Sequence, residues 1–162
     1  MNDQVLQNEF IKGTVDVGLD GFYKGELTRL FPNSLSETLG ALLLNIWLPW
    51  NGKFFYPSEQ VGDNILSPAL RFMIQFLLRD FGIEKPADGK FHAFPFKTYV
   101  MPGILDPINV LQLHYDLPQN PPVVRKITDE IVMVGPGSYL GKAYFVQNNV
   151  PRLFAYFRLQ KV

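Results

Sequence analysis

Hydrophobic and polar residues alternate along much of this chain, most regularly in its second half. From position 90 onward, five segments carry the period-two pattern of half-buried β-strands. Turn-forming residues separate them, at Pro102-Gly103, Asn120-Pro121-Pro122, Gly135-Pro136-Gly137 and Asn148-Asn149. Turn signals at near-regular spacing indicate an antiparallel meander, in which each strand pairs with the next one along the chain.

The first half adds two strands of the same kind. Residues 18–30 alternate and contain glycines that permit a bend, and residues 52–56 form a short second run. The polar, glycine-containing stretch after Tyr56 reads as a loop, and residues 1–17 fit either a helix or a strand. About seven strands are enough for a sheet to curl toward closure, which removes its exposed edges.

Two segments instead carry the spacing and the end signals of helices. Ser34 and Glu37 form a capping box, which predicts a helix from Leu35 to about Trp47, ended by Pro49. The second helix is predicted over 68–81, with Ser67 as N-cap, Pro68 at the first position and Gly82 just past the end.

Together these elements predict a mainly β (α+β) fold in a single domain, 1–162. We expect an antiparallel meander that forms a barrel or half-barrel with two capping helices. The chain has 162 residues, 15 basic and 15 acidic, and no cysteine. Zero net charge argues against a nucleic-acid partner, and the lack of cysteine excludes disulfides and thiolate chemistry.

The N-terminus lacks the apolar core of a secretory signal. No apolar run reaches the roughly 20 residues that span a bilayer. We therefore expect a cytoplasmic protein without stable membrane insertion, and a homodimer is left open.

Gly21-Phe22-Tyr23 on the first strand and Arg158 on the last resemble the signature of the calycins, which include lipocalins and fatty-acid-binding proteins. In that family a Gly-x-Trp on the first strand lies near a basic residue of the final strand, and Tyr23 stands here in place of the tryptophan. The resemblance implies a lipocalin-like barrel in which Arg158 covers the ring of Tyr23.

The chain from Leu113 onward also resembles a group of small bacterial proteins of unassigned function. The matching residues are Tyr115-Asp116, Arg125 and Leu140-Gly141. This resemblance implies architecture and no particular chemistry.

The two histidines are the first candidates for catalysis. If Met101 faces Leu105 across the turn, antiparallel pairing places His92 opposite His114, with Asp116 on the same face of the strand. Such a cluster could act as acid and base near neutral pH. A slip of one residue would separate the pair, and both histidines could equally be rim residues or hydrogen-bonded core residues. A metal site would need a third ligand beside the two histidines. Asp116 could supply it, but the pattern is a poor match to a metal site and we predict none.

Aromatic residues are abundant, with 14 Phe and 7 Tyr, and rings on strands can fill a core or line a pocket. Two basic side chains, Arg125 and Arg158, could bind a ligand carboxylate. Asp129 could tune a proton beside Arg125, or both could lie on a solvated face. The predicted ligand-binding residues are Phe94, Phe96, Tyr115, Arg125, Tyr144, Tyr156 and Arg158.

The sequence therefore predicts a domain that binds a small hydrophobic molecule, such as a lipid, an isoprenoid or a polyketide, in an aromatic-lined barrel cavity. The alternative is an isomerase or cyclase that acts on such a molecule without a cofactor, through His92, His114 and Asp116. A third possibility is an interaction domain with exposed aromatic patches.

Overall fold

The computed structural model describes residues 2–31, 50–67 and 90–162. Both helices predicted from the sequence, Leu35 to about Trp47 and 68–81, lie outside the described residues. All the strand-like segments predicted from the sequence lie within them.

The described residues form a closed, eight-stranded antiparallel barrel in which each strand pairs with the next and the last pairs with the first. This confirms the mainly β class and the meander. The strands are β1 (Gly21–Leu30), β2 (Trp50–Tyr56), β3 (Val61–Leu66), β4 (Phe91–Pro102), β5 (Asn109–His114), β6 (Ile127–Gly135), β7 (Ser138–Gln147) and β8 (Val150–Lys161).

The strand β3 corrects the prediction of a loop after Tyr56. Its sequence is short and polar, yet Asn64 pairs with Lys53 of β2 on one side and with Ala93 of β4 on the other. A strand between two partners has its backbone hydrogen bonds satisfied on both edges, and this outweighs the weak strand propensity of Gly, Asp and Asn.

The turn residues predicted from the sequence form the two hairpins that complete the barrel. Asn148 and Asn149 both have positive φ, 52° and 61°, as the tight turn between β7 and β8 requires. Gly137, with φ 67°, supplies the positive φ in the turn between β6 and β7. Glycine and asparagine tolerate this left-handed conformation better than other residues, so these turns hold the register of the last three strands.

One α-helix is present in the described ranges, α1 (Asp3–Lys12), and the Asn2 side chain caps it by accepting a hydrogen bond from the Gln4 N–H. Leu6 and Phe10, four residues apart on one face, are fully buried. They pack against Val110, Val132, Leu140 and Tyr156 on the outer surface of the barrel. This side of the barrel is therefore covered by the chain's own N-terminal helix.

The larger core lies inside the barrel and contains buried side chains from every strand. In the described part of the chain, no helix combines the length and apolar character needed to cross a membrane.

Candidate functional site

A cleft of about 460 Å³ lies at the end of the barrel where β2 and β4 finish. We call it the rim cleft. The segment before β1, the turn between β2 and β3, and the final residues of β4 form its walls. Its described lining residues are Val17, Leu19, Phe55, Tyr56, Pro57, Gln60, Val61, Thr98, Tyr99, Val100, Met101 and Leu111. None of these carries a charge, so the cleft suits an uncharged ligand.

Four of the lining side chains are exposed although they are apolar or aromatic. Val17 is 65% exposed and Val100 50%, while Tyr99 and Met101 are exposed at about two-fifths each, 42% and 40%. The strand β4 pairs with β3 only as far as Lys97, so residues 98–102 project beyond that partner. The projection leaves apolar side chains uncovered at the rim.

Below the rim cleft, aromatic rings cross the interior in a series of edge contacts. Tyr23 contacts both Tyr139 and Phe55, with ring centroids 5.4 and 5.5 Å apart. Phe96 contacts Phe55 at 5.5 Å and Tyr115 at 5.4 Å. These rings fill the centre of the barrel and separate the rim cleft from the opposite end.

At the opposite end, where β2 and β4 begin, polar side chains meet inside the barrel. We call this group, made of Trp50, Lys53, Asn64, Tyr115 and Asp129, the interior lysine cluster. Lys53 and Asp129 are each only 2% exposed, and their side chains form an ion pair of 2.8 Å. Burial lowers the pKa of Lys53, and the nearby Asp129 carboxylate opposes that shift.

The hydrogen bonds of this cluster are almost complete. Lys53 Nζ donates to Asn64 Oδ1 at 2.9 Å, to the Tyr115 hydroxyl at 2.5 Å and to Asp129 Oδ2 at 2.8 Å. Three acceptors match the three hydrogens of an ammonium group. The Tyr115 hydroxyl donates to Asp129 Oδ2 at 2.9 Å, and burial raises the pKa of Tyr115, which keeps it protonated.

Asn64 joins these groups to the surrounding backbone. Its Nδ2 donates to the Phe94 carbonyl and to the Tyr115 hydroxyl, and its Oδ1 accepts from the Trp50 indole N–H. A cavity of about 20 Å³ adjoins the cluster, and Leu66, Phe94, Val124 and Ile127 supply its apolar walls.

The predicted pairing of the two histidines is wrong. Met101 pairs with Val110 and Lys97 pairs with His114, so the turn holds more residues than expected. His92 instead pairs with Ile65 of β3. Along β4, His92 lies five residues from Lys97, the partner of His114, which is roughly 15 Å of strand. The longer turn, residues 103–108, accounts for the error, because register follows from loop length.

Each candidate catalytic residue therefore has its own surroundings. His92 lies 3.2 Å from Asp63 and 3.5 Å from the Tyr56 hydroxyl. His114 lies 2.8 Å from Gln112 Oε1, and burial lowers the pKa of its imidazole. Asp116 forms an exposed ion pair with Arg125 at 2.7 Å. These contacts do not unite the three residues in an acid–base cluster, and turnover without a cofactor stays a prediction.

The predicted ligand-binding residues divide between the two faces of the sheet. Phe94, Phe96 and Tyr115 belong to the interior core. Tyr144 of β7 pairs with Thr128 of β6, and its side chain lies on the outer face of the sheet. Tyr156 also lies on the outer face, beneath α1, where its hydroxyl donates to Gln7. The two outer tyrosines are buried but do not face the barrel interior, because alternation assigns them to the other face.

The predicted contact between Arg158 and Tyr23 is also wrong. Arg158 lies on the outer face and makes two hydrogen bonds, 2.9 and 2.6 Å, to the carboxylate of Glu9 in α1. The cation over Tyr23 is Lys161 from the same strand, with Nζ 5.9 Å from the ring centroid. The lipocalin-like assignment is thus not established by this contact.

Sequence reasoning did not single out Lys53, Asn64 or Trp50 as functional residues. The alternation of residues along the strands indicated that the two charged side chains of this cluster point inward. Lys53 shares a strand face with Phe55, and Asp129 shares one with Ile127 and Ile131. A charge at an inward position of each of two strands predicts a buried ion pair once the barrel closes.

The comparisons with known proteins inform the fold alone. No protein-family model matches this chain, and no curated protein matches it in sequence. A solved structure described as "Crystal structure of protein from Thermomonospora curvata" is similar, with a TM-score of 0.57 and 14% identity, over 100% of this chain and 88% of that one. The likeness supports the barrel architecture.

Proposed function

We propose that this protein binds a small, uncharged, apolar molecule in the rim cleft. The main support is the size and chemistry of that cleft, about 460 Å³ with no charged side chain among its described lining residues. Ligand pockets in proteins typically measure about 300–1,000 Å³ and have mostly apolar walls.

The exposure of the rim side chains supports the same proposal. Val17, Tyr99, Val100 and Met101 all line one cleft and present apolar surface to solvent. Apolar side chains gathered around one cleft are a common feature of ligand-binding sites. A ligand that covers these side chains would gain about 25 cal/mol for each Å² of apolar surface removed from water.

Polar groups at the cleft are few and partly used. The Thr98 N–H donates to the Gln60 carbonyl at 2.8 Å, so this part of the rim backbone is already satisfied. The Gln60 side chain and the Tyr99 hydroxyl are further polar groups at the cleft that could orient a ligand. The lipids, isoprenoids and polyketides expected from the sequence therefore suit the cleft through their apolar parts.

The proposal is tested with N-phenyl-1-naphthylamine, an uncharged probe that fluoresces when it enters an apolar site. We expect saturable binding, and we expect Val100→Gln to raise the Kd about tenfold. That change corresponds to about 1.4 kcal/mol, and it arises because the variant replaces an apolar wall with an amide.

Leu105→Gln is the matched control, since Leu105 is 63% exposed and does not line the cleft. It should leave the Kd unchanged. Equal weakening by both substitutions, or probe fluorescence that never saturates, would contradict the proposal. If the probe binds as expected, native mass spectrometry of protein purified from its own cell would identify the retained molecule.

A further inference from the structure

The rim cleft lies where one edge of β4 loses its partner strand. The strand β3 pairs with β4 only as far as Val61, which lies opposite Lys97. Beyond this pair, Gln60 accepts one more hydrogen bond, from the Thr98 N–H at 2.8 Å. The Gln60 N–H donates to the Pro57 carbonyl at 3.3 Å, so the chain turns back on itself here. In the described part of the chain, the end of β4 therefore has no strand on this side.

The register of β4 determines which backbone groups point to the open edge. At the turn to β5, the Gly103 N–H donates to the Ile108 carbonyl at 2.8 Å. Hydrogen-bonded and non-hydrogen-bonded positions alternate along an antiparallel pair, and this pair is regular over residues 97–102. By this alternation Val100 directs its N–H and its carbonyl away from β5. Both groups therefore point to the edge that opens onto the rim cleft, which Val100 lines.

The pairing available at this edge extends over a single residue. On one side of Val100, the Thr98 N–H is already bonded to Gln60. On the other side, the next residue directed to the same edge is Pro102, which has no N–H. A partner can therefore exchange two hydrogen bonds with Val100, one in each direction, but cannot continue as a regular strand. This favours a small molecule over a long peptide.

The surroundings of Val100 indicate what such a molecule carries. A group paired directly opposite Val100 places its substituent on the same face of the sheet as the Val100 side chain. That face belongs to the interior, because Val100 pairs with Leu111 of the interior core. Leu19 and Phe55, which are buried in the same core, also line the cleft. The substituent that suits this position is therefore apolar.

We propose that the ligand of the rim cleft contains a neutral N-acyl amino-acid amide unit, which pairs with Val100 as a strand residue would. This inference rests on the proposed function of the rim cleft. The ligand carbonyl accepts from the Val100 N–H, the ligand N–H donates to the Val100 carbonyl, and the apolar side chain of the ligand enters the cleft. Main-chain hydrogen bonds of this kind hold extended peptides against exposed sheet edges.

The test compares N-acetyl-leucine N′-methylamide with its ester analogue, in which an oxygen replaces the leucine N–H. The two ligands are uncharged and nearly equal in size. We expect the amide to displace N-phenyl-1-naphthylamine with a Kd on the order of millimolar, as suits a ligand of about 13 heavy atoms. The ester should bind about fivefold more weakly, because it cannot donate to the Val100 carbonyl.

Amide NMR of protein labelled with ¹⁵N-valine locates the contact. Loss of one resonance in Val100→Ala identifies the Val100 signal, which should shift downfield when the amide ligand saturates the cleft.

Two variants separate the backbone contact from the apolar wall. Val100→Ala keeps the N–H and shortens the side chain, so it should weaken both ligands alike and preserve the preference for the amide. Val100→Pro removes the N–H at a strand edge, where proline is tolerated. It should weaken the amide ligand about fivefold more than Val100→Ala does. The comparison of amide and ester in the unmodified protein tests the proposal even if Val100→Pro does not fold.

Equal binding of the amide and the ester to the unmodified protein would overturn the proposal, as would a Val100 resonance that does not move at saturation. A capped pentapeptide of alternating leucine and threonine should bind no more tightly than the single unit. A Kd about tenfold lower or better would show that the edge accepts a strand from a partner, against the small-ligand assignment. If N-phenyl-1-naphthylamine binds while the amide and the ester do not differ, this inference fails and the proposed function is retained.

Discussion

Charged residues at buried positions are the least ordinary feature of this protein at the scale of single residues. Besides Lys53 and Asp129 inside the barrel, Lys142 and Asp106 form an ion pair of 2.5 Å beneath α1, and Glu130 lies beside them, fully buried. Glu130 Oε1 accepts from the Ile104 N–H and from Gln112. Each buried charge must be paired or hydrogen-bonded, or its pKa must shift.

Glu130 is hydrogen-bonded and its pKa is also raised, and this shift gives a prediction about how stability depends on pH. Burial is the largest cause that raises its pKa above the ordinary 4.5, while the Ile104 N–H and the Lys142 charge lower it. A carboxyl whose pKa is higher in the folded state stabilises the fold below its unfolded pKa. This contribution is lost as the pH rises through the folded pKa.

Glu130→Gln retains an acceptor oxygen and cannot titrate. We therefore expect the stability of the variant, relative to the unmodified protein, to increase as the pH rises above 4.5 and then to level off. Urea unfolding from about pH 4 to about pH 8 measures this difference. Glu59→Gln, which removes an exposed carboxyl in the turn between β2 and β3, is the control. A difference that does not change with pH would show that Glu130 titrates alike in both states.

At the scale of elements, α1 is held to the barrel by buried apolar contacts and by polar contacts around them. Phe10 packs on the outer core and lies 4.3 Å from Lys142 Nζ, measured to its ring centroid. Gln7 bridges the Asp106 carboxylate and the Tyr156 hydroxyl. The helix thus covers both an apolar surface and a buried ion pair of the barrel.

Phe10→Ala is expected to destabilise the protein by about 3–5 kcal/mol, since the removed ring leaves a cavity over Lys142. Ile11→Ala, one position along and 39% exposed, should change stability by less than about 0.5 kcal/mol. The urea midpoint with an unchanged slope is the measurement. Similar losses from both substitutions would contradict the conclusion that packing of Phe10 on the barrel holds the helix in place.

At the scale of the whole molecule, inward-facing glycines make room for the rings that fill the barrel. A Cβ at Gly141 would lie 2.2 Å from the Phe157 ring, and one at Gly62 would lie 2.5 Å from the Phe96 ring. At Gly25 it would lie 2.4 Å from the Trp50 ring. Large and small residues therefore alternate across the interior, which gives a filled centre with free space at the two ends.

Gly141→Ala is expected to cost about 1–3 kcal/mol, because Phe157 must leave its position or β7 must shift. Gly135→Ala serves as control, because its Cβ would have Ser138 Cβ at 3.9 Å as its nearest neighbour. This change should cost less than about 0.5 kcal/mol. Thermal unfolding of both variants checks the prediction, and full tolerance of Gly141→Ala would show that the interior is less tightly filled.

Alternation and turn residues were sufficient to predict the meander and seven of its strands, because both are local properties of the chain. The strand β3 was missed since its propensity is poor and its formation depends on two neighbours. The sequence also determined that Phe94 and Phe96 carry aromatic surface, and that Lys53 and Asp129 each occupy a position shared with apolar residues.

Only the tertiary structure decided which of these residues meet. Lys53 and Asp129 are 76 positions apart and come together because the barrel closes, whereas His92 and His114 are separated by the register of one turn. Register depends on how many residues a loop uses, and a change of a single residue reverses the face of a whole strand. Contacts across the barrel follow from closure, which no local pattern encodes.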